Sequence, residues 1–231
     1  MAKKIFLYLI FFATISYLLF NTALVSDEFS WIVLTKGESF KDLLFPKEFF
    51  LIAPVLHYLL YIWYRFFDVY NLFLPSLLKV FYISLSFYLI TKFFTIYLDK
   101  RNAMLISFLF IFFPSHDFTA FSLEGLYSTL TIAFYMYSFY LAYNSRLILS
   151  FFMALIASFT SYASVPIALS LFLLFALNKE FKKGALILVP NIIYSLYYIF
   201  MSKVMHIMKT QIPDSISLSG ILKQFILQIF T

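Results

Sequence analysis

Apolar residues run along this chain in blocks of about 20, the length that spans a hydrocarbon core roughly 30 Å thick. The first block covers 5–25 and ends at Asp27-Glu28. A polar stretch, 26–50, follows with five acids and three lysines. Block 51–67 is apolar but carries His57, Arg65, Tyr58, Tyr61, Trp63 and Tyr64. The next run, from 72, has a spanning core at 80–98. Short breaks at 99–102, 115–125, 144–146, Pro166 and 178–184 divide the remainder. A last long run, 185–201, leads into a more polar tail. All four glycines, Gly37, Gly125, Gly184 and Gly220, sit at breaks, as suits a residue that weakens helix interiors.

Whether 51–67 crosses the membrane sets the side of everything after it. If it crosses, the basic groups at 99–102, 146 and 179–183 fall outside with Asp117 and Glu124 inside, which inverts the positive-inside rule in every later loop. If it lies along the outer interface as an amphipathic helix rich in Tyr and Trp, every basic loop is cytoplasmic and both acidic loops are outside. The second arrangement is expected. It gives about seven crossings, at 5–25, 78–98, 103–115, 126–143, 147–163, 165–177 and 185–201, with the third and sixth short for a full span. The fold class is therefore an all-α polytopic membrane protein, with interfacial helices in a first outer loop at 26–73. Residues 1–201 form the membrane module, and 202–231 an outer polar segment with an amphipathic helix near 221–230.

Composition agrees. Of 231 residues, 63% are hydrophobic and 12% charged, and mean hydropathy is +0.92. A soluble domain is about half apolar and about a quarter charged. The net charge of +6 does not point to nucleic acid, because the cations sit at the ends of apolar runs. With no cysteine, a thiolate nucleophile, a disulfide and a cysteine-ligated metal are all excluded. Lys3 and Lys4 precede an uncharged run longer than a typical signal core, with no small-x-small site after it, so the first helix is expected to be retained.

Ionisable residues are nearly absent from the expected spans. Lys79 and Lys92 lie near helix ends, where they can snorkel; Asn191 and Pro190 read as helix-packing features. This pattern argues against a proton-coupled pump, which needs acids in mid-membrane. The outer face carries more. Asp27-Glu28 marks the exit of the first helix and Glu124 the re-entry of the fourth, at one depth and on one side. On position alone these are solvated loop charges or first-turn acids favoured by the helix dipole.

The stretch 26–46, SDEFSWIVLTKGESFKDLLFP, resembles the first outer loop of the GT-C superfamily of polyprenyl-phosphate-sugar-dependent glycosyltransferases, in the branch of the aminoarabinose transferases and protein O-mannosyltransferases. Pro54-Val55-Leu56-His57-Tyr58-Leu59-Leu60-Tyr61 is similar to that branch's Pro-led interfacial segment. Leu74-Pro75-Ser76 is similar to its next helix start, and Lys100-Arg101, Phe113-Pro114 and Ser122-Leu123-Glu124 follow in the same order. The likeness extends over about residues 1–200.

The resemblance implies a transfer of sugar from a polyprenyl phosphate to a lipid, glycan or protein acceptor, on the outer side and with inversion. Asp27 matches the acid that takes the acceptor's proton. Glu28 would orient the acceptor or help hold a divalent cation, Mg or Mn, and Asp27 with Glu124 are the implied metal ligands. Lys47, His57 and Arg65, with Lys203 or Lys209, are the implied contacts to the lipid phosphate. Some relatives carry a Lys before the interfacial proline where this chain has Ala53. Family members usually continue with several more helices beyond the point equivalent to Thr231, so the expectation is a fragment, a compact member of the family, or one half of an assembly with a partner subunit. The expected location is a bacterial inner (plasma) membrane, multi-pass, with the amino terminus cytoplasmic. The alternatives are a noncatalytic membrane subunit or scaffold, and a lipid or polysaccharide transporter, which would move substrate without forming a glycosidic bond.

Overall fold

The structure is a computed structural model that describes residues 26–46, 48–112, 123–161 and 164–204; Asp27, Glu124 and Lys203 are described in their backbone only. The expected first span at 5–25, Lys47, most of the 115–124 loop, Lys209 and the tail helix near 221–230 lie outside the described residues. Every element among those residues is helical, and their only bridge is an isolated one between Asp68 and Asn71.

The expected outer loop begins with a helix, α1 (Ser26–Gly37), followed by the short α2 (Phe40–Leu43). The Asp27-Glu28 pair therefore stands in a first helical turn and not in a loop. Charge hid this helix from sequence reading, although Glu28, Ile32 and Thr35 form an inward face at the 3–4-residue spacing of an α-helix. Segment 51–67 differs too. It is α3 (Pro54–Leu59) and a 3₁₀ stretch, Tyr61–Phe66, parted at Leu60. Neither piece approaches the roughly 20 continuous residues of a spanning helix.

Six longer helices follow: α4 (Phe73–Phe94), α5 (Lys100–Ile111), α6 (Leu123–Tyr143), α7 (Leu147–Thr160), α8 (Val165–Leu177) and α9 (Phe181–Val204). Their connections are built by local chemistry. Asp99 caps α5, its carboxylate accepting from the N–H groups of Arg101 and Asn102. The helices α6 and α8 end alike, with Ser145 and Lys179 at φ near 60° and paired bonds closing each reversal. Arg146 N–H donates to Leu141 and Ser145 N–H to Ala142; Glu180 N–H donates to Phe175 and Lys179 N–H to Ala176. Such tight reversals make α6/α7 and α8/α9 antiparallel pairs.

Side-chain contacts confirm the direction of each helix. Ser138 and Ser150 exchange bonds with one another's carbonyls at 2.7 and 2.8 Å, while the earlier Tyr135 meets the later Ser158 at 2.7 Å. Near the ends of α4, α6 and α8, Phe139 meets Phe93 edge-on at 5.4 Å and stacks on Phe175 at 4.2 Å. Gly184 lets α9 approach α8: a Cβ there would lie 2.9 Å from Phe172 Cδ2. The connections bearing Lys100, Arg101, Arg146, Lys179, Lys182 and Lys183 consequently share one end of the bundle. The segment 26–72 covers the other end.

Among the described residues two helices, Phe73–Phe94 and Phe181–Met201, are long and apolar enough to cross a bilayer, whereas Leu147–Thr160 and Val165–Leu177 are apolar but shorter. Phe73–Phe94 rises about 33 Å at 1.5 Å per residue. Only 28% of the Phe181–Met201 window is buried, so Ile192, Ile193, Leu196, Ile199 and Phe200 face outward. A core helix of a water-soluble protein would hide them. These features point to membrane association.

Candidate functional site

The end of the bundle covered by residues 26–72 is held by hydrogen bonds from aromatic and basic side chains to backbone carbonyls. Tyr82 of α4 donates to the Leu59 carbonyl, and Tyr197 of α9 donates to the Leu51 carbonyl at 2.5 Å. The α3 helix packs on α7. Between these anchors lies an aromatic cluster. Trp31 of α1 meets Phe50 and Tyr61 edge-on at 5.5 and 5.6 Å, and Phe50 lies 4.6 Å from Tyr61. Such edge and offset geometry suits the ring quadrupoles.

His57 is fully buried at the bottom of this cluster, with Nε2 2.8 Å from the Leu43 carbonyl. Because a carbonyl only accepts, that nitrogen carries the proton. The ring pins α2 to α3, and Tyr58 reinforces it by donating to Leu44 at 3.2 Å. Arg65 plays a parallel part. Its Nη1 donates to the carbonyls of Thr35, at 2.8 Å, and Glu38, closing the carboxyl end of α1, where a cation also meets the helix dipole favourably. His57 and Arg65, both expected to reach a lipid phosphate, each meet backbone carbonyls in this structure.

Tyr61 donates to Glu38 Oε1 at 3.3 Å. Burial pushes the Tyr61 phenol up to about 12, and the Glu38 charge and hydrogen bond push the same way. The proton stays on the phenol, keeping it a donor throughout the neutral range.

Glu28 and Lys79 are charged residues of the inward faces of α1 and α4. Both are fully buried, and the Glu28 carboxylate acts electrostatically on the Lys79 ammonium. Lys79 does not snorkel as its position near a helix end suggested. It lies on the packed face of α4 with Ser76, Ile83, Ser86 and Ile90, so its stem points into the bundle. Lys92 behaves more as expected, half-buried with its ammonium 5.4 Å above the Tyr88 ring. A lone Lys two turns into an apolar helix was itself the available signal, since a buried charge calls for an opposite one.

No family model, characterised protein or solved structure matches this chain. Residues and geometry therefore carry the functional argument. The structure brings Glu28, His57 and Arg65 to one end of the bundle. The backbones of Asp27 and Glu124 belong to the first turns of α1 and α6, while Lys47 is outside the described residues. Among the described residues no three His, Asp or Glu side chains gather to hold a metal.

A second polar cluster lies within the bundle. Asn191 donates to the hydroxyls of Tyr135 at 3.1 Å and Ser164 at 2.9 Å. Ser158 donates to the Ala154 carbonyl at 2.8 Å, so at the 2.7 Å contact it is Tyr135 that donates to Ser158. Hydrogens thus point in one direction from α9 through α6 to α7. The partners are neutral, and the cluster joins four helices without presenting a charge. It is packing chemistry, and Pro190 beside it is absorbed within α9.

Proposed function

We propose that this chain is the seven-helix module of a polytopic membrane glycosyltransferase of the GT-C kind, taking a sugar from a polyprenyl phosphate to a lipid, glycan or protein acceptor on the outer side of the membrane. One observation carries the reading. An ordered platform, 26–72, with acids on its first helical turn, caps the end of the bundle opposite the basic connections. The break of 54–66 into two short pieces supports an interfacial course for that platform. The positive-inside rule then assigns the basic end, and the amino terminus, to the cytoplasm.

In this mechanism Asp27 takes the proton of the acceptor hydroxyl as that oxygen attacks the anomeric carbon. The bond from that carbon to the phosphate oxygen breaks, and the lipid phosphate departs with the electron pair. A weak alcohol nucleophile needs such a base, worth about 10²–10⁴-fold. Glu124, on the first turn of α6, is the second acid of the site, and Lys47 remains the platform's candidate for the departing phosphate. Inversion and any Mg or Mn requirement rest on family resemblance. A second reading, a noncatalytic scaffold, gains from His57 and Arg65 being committed to carbonyls.

Asp27→Asn separates them. In membranes supplied with labelled polyprenyl-phosphate sugar, the variant should express normally and lose about 10²–10⁴-fold of transfer. Undiminished transfer overturns the mechanism, and no transfer by the native chain favours the scaffold.

A further inference from the structure

The helix α1 is polar inward and apolar outward. Its inward face is Glu28, Ile32 and Thr35, with Trp31 half-buried beside them. Its outward face presents Phe29 at 45% exposure, Val33 at 68% and Leu34 at 52%, with Ser30 and Lys36. Phe29 and Val33 lie one turn apart on one stripe, and Ser30 and Leu34 on the next. Around α2 the pattern repeats: Phe40, Leu44 and Phe45 are exposed while Leu43 is buried. A helix facing water would be arranged the other way round. Large apolar side chains left outward in this number mark a surface that meets something apolar.

Two observations identify that something as lipid. The platform does not perch on the helix ends. Tyr82, which donates to the Leu59 carbonyl, is nine residues on from Phe73, about 14 Å below the start of α4. Tyr197, which donates to the Leu51 carbonyl, is seven residues before Val204, about 10 Å below the end of α9. The platform is thus held at a depth where the bundle's own exterior is apolar. Phe73, Leu77 and Phe81 of α4 and Leu196, Ile199 and Phe200 of α9 are exposed. The charges are also set for head groups. Lys36 and Lys41 are exposed, while Glu28 is buried, Glu38 accepts from Tyr61, and the exposed Asp42 accepts from the Ser39 hydroxyl at 2.6 Å. Lysine stems lie along apolar surface and carry the ammonium out to lipid phosphates, as on interfacial helices. We propose that the outward face of α1 and α2 is a lipid-binding surface, set in the hydrocarbon edge of one leaflet with Lys36 and Lys41 on the phospholipid phosphates. The membrane contact therefore shifts within the platform. The expected interfacial segment, 51–67, buries His57, Tyr61, Tyr64 and Phe67 in protein, and the polar-looking 26–46 meets lipid. The inference does not depend on the reaction proposed above.

Because the chain has no cysteine, Val33→Cys and Lys41→Cys each carry a single nitroxide in the full chain. The protein is reconstituted in vesicles of phosphatidylcholine and phosphatidylglycerol. Collision of the label with oxygen, which concentrates in hydrocarbon, is compared with collision with a water-soluble nickel chelate. At position 33 oxygen should dominate, with an oxygen-to-nickel ratio several-fold higher than at position 41. Leu34→Cys, on the neighbouring stripe, supplies the same reading if Val33→Cys does not fold. A ratio at 33 and 34 no higher than at 41 places the face in water and overturns the inference. Low collision with both reagents places it under protein, such as a second copy of the chain, and overturns it equally.

Discussion

Arg65 Nη1 lies 2.8 Å from the carbonyl oxygen of Thr35, thirty residues earlier in the chain. The contact joins the 3₁₀ stretch Tyr61–Phe66 to the last turn of α1, and the bond to Glu38 on the same nitrogen completes the cap. Arg65→Ala should destabilise the platform by about 1–3 kcal/mol, because two carbonyls lose a charged donor. Arg65→Lys should recover only part, since a point charge does not reproduce the guanidinium fork. Melting in detergent, with protease cutting near residues 35–41 as a local probe, checks both. Native cutting rates in Arg65→Ala would remove Arg65 from this role.

The Tyr61 phenol sets a pH limit on the same platform. Its value in the folded chain is about 12 against an ordinary 10.0. Between those values the unfolded chain holds fewer protons than the folded one, so stability falls as pH rises from 10.0 towards about 12 and is unaffected by this group below that window. Tyr61→Phe should flatten that alkaline loss in melting curves. An unchanged slope in Tyr61→Phe would assign the loss to another group.

Gly184 tests the close approach of α8 and α9. A methyl group there meets Phe172 Cδ2 at 2.9 Å and the Phe172 carbonyl at 3.1 Å. Since the second neighbour is backbone, the helices must separate, and Gly184→Ala should cost about 1–3 kcal/mol despite Ala's better helix propensity. A melting temperature equal to or above the native one would show that the ring of Phe172 gives way.

Within the bundle, Asn191 and Tyr135 should behave as coupled partners. Asn191→Leu and Tyr135→Phe each break the directed chain of hydrogens. Their double-mutant cycle in melting should show a coupling of about 0.5–1.5 kcal/mol. Simple additivity would mean that the 3.1 Å contact contributes nothing on its own.

The connections at 144–146 and 178–180 were legible in the sequence because reversals need particular residues, and Asn144 and Asn178 end their helices there. Helix starts were placed three or four residues late at Lys100 and Phe181. Charges read as loop, but Asp99 caps a helix whose first turn holds Lys100 and Arg101, and Lys182 and Lys183 likewise sit in the first turn of α9. The α1 helix was missed for the same reason, its six polar or charged residues outweighing a narrow inward face. Segment 51–67 was recognised as unlike a span, yet its break at Leu60 follows from tertiary ties, through Tyr82 to Leu59 and Tyr197 to Leu51, that no local pattern carries. The burial of Lys79 comes from the packing of α4 into the bundle, which no local pattern carries. The same holds for the use of His57 and Arg65 on carbonyls: residue type suggested a ligand contact, and only the packed loop shows what each side chain touches.

Sidedness carries the whole account, and the cysteine-free chain allows it to be measured directly. Lys41 and Lys100 are both exposed, one on the platform and one among the basic connections. Single Lys41→Cys and Lys100→Cys variants are treated in intact cells with a maleimide that cannot cross the membrane. Position 41 should label at once, and position 100 only after the membrane is opened. Labelling of position 100 in intact cells contradicts the account, because the platform and the basic connections would then not lie on the sides assigned to them.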